Sequence, residues 1–240
     1  MHSRLDYLKL SSTDMRGNVD RSQAVLAILE RPINGRTLNV KMHIQVRAGT
    51  VVSFYELWGE DADLCLFVYG DELAHLPLEC HRLDLKGDFV GPVDLRVLGE
   101  QMHASTKLNY VTYNSRLRLK TDTRDGGGYG FAFGSMKSRF RFSGYQRGNE
   151  KSSMEVQIRL KDAARIWQEA KHEWTAGGEP VPFYTVLIAD LFYHRAAMLS
   201  HHFGEDILIL LTEMEFGKKQ MASTEPNPMV EGQAPLPYTL

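Results

Sequence analysis

A chain of 240 residues that is 43% hydrophobic and 24% charged can bury a substantial core, and its composition excludes wholesale disorder. The formal net charge of −2 hides a contrast: residues 105–147 hold nine Lys or Arg against two Asp, a net of +7, which leaves −9 on the remainder. Attraction for an anionic partner is therefore not excluded, but it must be local. Two cysteines, Cys65 and Cys80, have fourteen residues between them and no C-x-x-C arrangement, so a disulfide framework is not expected and a reducing cytoplasm is the default. The first residues lack the apolar segment of a signal peptide, and no apolar run approaches the ~20 residues of a membrane span. A soluble, cytoplasmic protein with no membrane partner is the expectation.

In chain order, a polar lead containing Gly17 and Asn18 precedes a short helix over 20–31, with Asp20 as its cap, Gln23 three residues on and Pro32 beyond its end. Asn34-Gly35 turns the chain into TLNVKMHIQVR, where Leu38, Val40, Met42, Ile44 and Val46 alternate with polar residues, the pattern of a strand with one wet face. Ala48-Gly49-Thr50 reads as a hairpin connection into VVSFYELW. The acidic group Glu60, Asp61 and Asp63 then reads as a hairpin tip before LCLFVY, an apolar run suited to a buried strand. HRLDLKG and VDLRVLG alternate and predict two more strands, and SMEVQIRL another. From there the period changes. Ala163, Ile166, Trp167, Ala170 and Trp174 form the apolar stripe of a helix, and a second helix is expected over 183–203. The run ILILL, residues 207–211, fits either strand or helix. No internal repeat is evident.

The stretch 105–147 carries the conspicuous chemistry. It reads as two long strands joined by a glycine-rich connection, with Arg116, Arg118 and Lys120 alternating on the first and Lys137, Arg139 and Arg141 on the second. GYGFAF, residues 128–133, shares part of the first signature of RNA recognition motifs. Gly127 replaces its basic residue and Ser135 its last aromatic, however, so that family is not assigned. Phosphate-loop spacings fail as well, and the glycines are expected to serve turns. Counting alternate positions through the second strand puts Phe131 and Phe133 on one side with the three cations, and Ala132, Met136, Phe140 and Phe142 on the other. Cations neutralise phosphates and aromatic rings stack on unpaired bases. The expected function is therefore non-enzymatic binding of nucleic acid, single strand preferred and with weak sequence specificity, accessory to replication, recombination or RNA handling. The expected contacts are Arg116, Arg118, Lys120, Tyr129, Phe131, Phe133, Lys137, Arg139 and Arg141.

Two rivals remain. Asp190, His194 and His201 form a polar line on the second helix and could support a metal-assisted hydrolase or nuclease. Arg195 and His201 also have a spacing found in certain helical ribonucleases, against which the β-rich chain argues. Alternatively, the basic hairpin docks an acidic protein as part of a larger complex. No catalytic set, cofactor or metal is assigned. The expected architecture is α+β: a mainly antiparallel sheet of seven or eight strands, bent or partly closed, with one N-terminal and two C-terminal helices, as a single domain over 1–216 and a flexible Pro-containing tail over 217–240.

Overall fold

The computed structural model describes residues 2–89, 93–108, 118–122, 128–135, 137–147, 151–177 and 181–217. β1 (His2–Met15) occupies the stretch that composition suggests is a polar lead. Leu5, Leu8 and Leu10 are fully buried, but register shifts between Leu5 and Tyr7 and between Lys9 and Leu10 break the period of two against its neighbour. These irregularities hide the strand from any reading that depends on alternation. α1 (Asp20–Leu29) follows as expected, although Asp20 does not cap it. The Asp14 carboxylate at the end of β1 accepts the backbone N–H groups of Arg21 and Ser22 instead.

β2 (Lys41–Arg47) and β3 (Thr50–Trp58) form the expected hairpin, with Arg47 opposite Thr50. The alternation in β2 is real, yet its apolar row is uncovered: Met42, Ile44 and Val46 are 42%, 54% and 62% exposed. α2 (Glu60–His75) stands where LCLFVY suggests a strand. Ala62, Cys65, Leu66, Tyr69 and Leu73 are buried at helical spacing, while Phe67 and Val68 face solvent. The run reads as continuous because two exposed positions are apolar too. Glu60, Asp61 and Asp63 belong to the first turn of α2 and not to a hairpin tip, and carboxylates suit the positive end of a helix.

β4 (Glu79–Asp88) is as expected. α3 (Leu95–Leu108) replaces both the strand predicted around VDLRVLG and the start of the long basic strand. Its buried Leu95, Leu98 and Met102 recur at i, i+3 and i+7. Residues 109–117 of that predicted strand lie outside the described residues; β5 (Arg118–Asp122) belongs to it and pairs antiparallel with β6 (Gly128–Phe133). β7 (Phe140–Arg147), β8 (Lys151–Arg159), α4 (Lys161–Ala176) and α5 (Phe183–Phe203) follow. ILILL is helical, within α6 (Glu205–Thr212), which runs into a π-helical turn at Glu213–Gly217. Residues 218–240, nearly all of the expected tail, lie outside the described residues.

All eight strands join one open antiparallel sheet in the order β2-β3-β1-β4-β8-β7-β6-β5. The fold is thus α+β, with six α-helices among the described residues where three were expected. α1, α2, α3 and α4 pack on one face of the sheet, and α5 lies over α2 and α4. The core between these layers is a continuous cluster running from Leu5 to Leu211. Among the described residues, no helix is long and apolar enough to cross a membrane.

The sheet contains a repeat that the sequence does not display. β1-α1-β2-β3-α2 is followed by β4-α3-β7-β8-α4, with β5 and β6 inserted in the second unit. The two units meet at the antiparallel β1/β4 pair, and β3 flanks β1 as β8 flanks β4. Even the exits match. Gly59 (φ 57°, ψ −133°) leads β3 into α2, and Leu160 (φ 56°, ψ −129°) leads β8 into α4. The N–H of Gly59 donates to Asp6 O at 2.8 Å, and that of Leu160 to His81 O at 2.9 Å. A positive φ is strained for leucine, yet Leu160 repeats the turn that glycine makes in the first unit.

Candidate nucleic-acid interface

The register of β6 and β7 decides which predicted contacts reach the surface. Phe131 lies opposite Gly144 and Phe133 opposite Phe142, and Phe131, Phe133, Phe140 and Phe142 are all at most 5% exposed. Phe131 and Phe133 therefore face the helices, contrary to the expected placement beside the cations. Parity does not carry through residues 134–139, because the strand ends at Phe133 and restarts at Phe140 after a turn at Gly134 (φ +84°). A Cβ at Gly134 would lie 2.6 Å from Phe140 O, so the turn admits only glycine without rearrangement. Phe133 packs on Phe203 and His202 of α5, with ring centroids 4.7 and 4.8 Å away. Tyr129 shares their row and is half-buried, with its hydroxyl lodged against Gly99 of α3. None of the three rings is presented for stacking.

The cations fare differently. Lys137 and Arg139 are exposed in the turn, and Arg139 Nε stands 3.8 Å from Asp162. Arg141 is half-buried, on the sheet face away from the helices. Among the described residues neither Lys137 nor Arg141 has an ion-pair partner. Arg118 and Lys120 occupy register positions opposite Ala132 and Gly130. Arg116 lies outside the described residues, as do the side chains of Arg118 and Lys120.

On that helix-free face the first unit is aromatic. Trp58 and Tyr7 meet edge to face at 5.3 Å, with Lys41 over Trp58 and Arg82 over Tyr7. His43 and Phe54 stack at 4.7 Å with 12° between their planes, and Lys9 lies over Phe54 while donating to Glu56 at 2.8 Å. His81 and Ser11 form a 2.7 Å hydrogen bond. The equivalent rows of the second unit are ionic: Arg82 forks onto Asp84, Arg159 donates to Gln157, and Gln157 donates to Glu155 at 2.7 Å. Burial raises the Asp84 carboxyl to about 6 despite its arginine. Burial, with the like charges of Arg82 and Arg141, lowers the pKa of Arg159. These residues come from six strands, and no local motif could have flagged them as one surface.

Beside the arginines the face is hollowed. A depression of about 440 Å³ has Gly130, Ala132 and Ser143 as its floor and Arg141, Tyr145 and Glu155 at its sides. Lys86 reaches over the Tyr145 ring at 6.0 Å. Gly130, at the end of the glycine-rich stretch, thus supplies a bare patch of sheet.

The polar line on α5 does not assemble into a common site. His194 is buried, its Nδ1 3.1 Å from the Arg165 guanidinium, and burial together with that charge lowers its pKa. Burial also raises the Asp190 carboxyl, reinforced by Glu173 and Glu169. His201 is exposed and meets His202 edge on. Arg195 is engaged by Glu215 through two hydrogen bonds of 2.8 and 3.1 Å. Among the described residues no group of three His, Cys, Asp or Glu is placed to hold a metal ion. Cys65 and Cys80 are buried free thiols, and burial pushes Cys65 up to about 12.

No family model matches the chain, and no curated protein sequence matches it. Among solved structures it is similar to a rolling circle replication initiator protein from Geobacillus stearothermophilus, at 14% identity and a TM-score of 0.48, over 71% of this chain and 79% of that one. It is also similar to the regulatory subunit of aspartate kinase from Thermus thermophilus, at 11% identity and a TM-score of 0.23, over 72% and 94% of the two chains. Both likenesses are too slight to bear on fold or function.

Proposed function

We propose that the protein binds single-stranded nucleic acid across the helix-free face of its sheet. One observation carries this reading: among the described residues no helix covers this face of the eight-stranded sheet, roughly 34 Å wide at the usual strand spacing, and on it cations alternate with aromatic rings. Backbone phosphates would meet Lys137, Arg139, Arg141 and Arg159, and we extend the proposal to Arg116, Arg118 and Lys120 as further phosphate contacts. Bases would meet Tyr145 rather than the buried Phe131 and Phe133. Such a surface binds through counterion release and stacking, which imply a steep salt dependence and little sequence preference. An accessory role in replication, recombination or RNA handling fits binding of this kind. The test is titration of labelled single- and double-stranded oligonucleotides over a salt series, comparing wild type with a Lys137→Ala/Arg139→Ala/Arg141→Ala variant. Tighter single-strand binding that weakens with salt and with the triple change supports the proposal; absence of binding at low salt overturns it.

A further inference from the structure

Equivalent register positions in the two units carry opposite things. In the first, His43 lies opposite Phe54 and their rings stack at 4.7 Å. In the second, the counterparts are Ser143 and Glu155, again opposite each other, and the place of the rings is taken by the 440 Å³ hollow. We propose that this hollow takes one unpaired nucleobase, lying flat on Gly130, Ala132 and Ser143 against the Tyr145 ring, with the adjoining phosphate on Arg141. The inference rests on the single-strand reading above and adds which part of the strand is gripped.

Three observations support a base as occupant. The volume is within the range of small-ligand pockets. The floor is backbone and small side chains, so a planar group can approach closely. The rim is polar: one oxygen of Glu155 takes the Gln157 amide, which leaves the other carboxylate oxygen to accept from the N–H groups of a base edge.

The two glycines of this region separate structure from function. A Cβ at Gly144 would lie 2.5 Å from the Phe131 ring, so core packing demands glycine there. At Gly130 the backbone is not left-handed, and a Cβ would meet Gly144 O at 3.4 Å and Tyr145 Cβ at 3.8 Å, ordinary contacts. Packing leaves room for a side chain at Gly130, and its absence keeps the hollow open. A base within a duplex is stacked on both sides and cannot enter without leaving its helix, so the hollow selects single strands.

The experiment compares a twelve-nucleotide oligodeoxyadenylate with an abasic phosphodiester chain of equal length and charge. Wild type, Gly130→Leu, which fills the floor, and Tyr145→Ala, which removes the wall, are titrated with each, their folding checked by circular dichroism. Wild type should bind the base-bearing chain about tenfold tighter than the abasic one, the scale of one stacked base, and both variants should lose most of that preference. If wild type binds both chains equally, or either folded variant retains the full preference, the hollow is not a base site and phosphate binding by the face stands. If wild type binds neither chain, the single-strand reading itself falls.

Discussion

The two units of the sheet share a backbone plan and differ in what they place on it. Residue for residue across the pseudo-twofold, Tyr7 and Trp58 match Arg82 and Arg159, Lys9 matches Asp84, and the stacked His43 and Phe54 match Ser143 and Glu155. The first unit closes its outer face on itself, since its rings are covered by one another and by Lys9, Lys41 and Arg82. The second leaves its outer face unfilled, with a hollow and with cations that outnumber their carboxylate partners. Identical hydrogen bonding at Gly59 and Leu160 shows that the backbone tolerates either solution. The contrast therefore lies in side chains, and side-chain changes can test it.

The largest expected effect breaks the second unit's core. Phe131→Ala removes a ring that is 3% exposed and should cost about 3–5 kcal/mol of stability by urea denaturation. Were Phe131 an outward base-stacking residue, the same change would spare stability and weaken binding instead. Next, the Lys137→Ala/Arg139→Ala/Arg141→Ala variant should lower single-strand affinity at least tenfold. It should also reduce the slope of log affinity against log salt by about 2 when three phosphate contacts are lost.

A smaller effect should follow from making the first unit resemble the second. Phe54→Ala removes the His43 stack and the Lys9 contact and should cost about 1–2 kcal/mol. If the units differ in function as they do in chemistry, it should weaken binding less than Tyr145→Ala does. Equal losses would mean that the strand lies over both units alike.

The smallest effect is on pH. Asp84 holds its proton up to about pH 6 in the fold, against 3.8 without it. The folded state thus binds more protons across that window, so the contribution of this group to stability is greatest below it and is lost as pH rises through about 6. Protonation also removes a negative charge beside Arg82 and Arg159, so affinity should tighten severalfold as pH falls from 7.5 to 5.5. Asp84→Asn should bind at pH 7.5 about as wild type does at pH 5.5. An unchanged pH profile in that variant would place the responsible group elsewhere.

How much of this was legible depended on whether the signal was local. The stripe of α4 follows from helical spacing, the start of α5 from Pro180 and Pro182 before it, and the β2-β3 hairpin from alternation about Gly49. α2 and α3 were misread because Phe67, Val68 and Val97 are apolar yet exposed, which turns a helical stripe into an apolar run or an alternation. β1 was lost to its register irregularities. For the predicted site, the cations on β7 and its preceding turn could be read from sequence, whereas the rings could not. The turn at Gly134 resets the parity of the strand, and a count carried through it assigns Phe131 and Phe133 to the wrong face. The internal repeat is legible only in backbone geometry, because the equivalent outer positions are aromatic in one unit and ionic or small in the other.

The central claim, that the helix-free face grips single-stranded nucleic acid, is tested most directly by the salt dependence of binding to one labelled oligonucleotide as a single strand and as a duplex. The account predicts preferential single-strand binding whose affinity falls linearly on log–log axes, with a slope of roughly −2 to −4 for three to six phosphate contacts. Absence of binding at 50 mM salt, or equal affinity for strand and duplex, would contradict it.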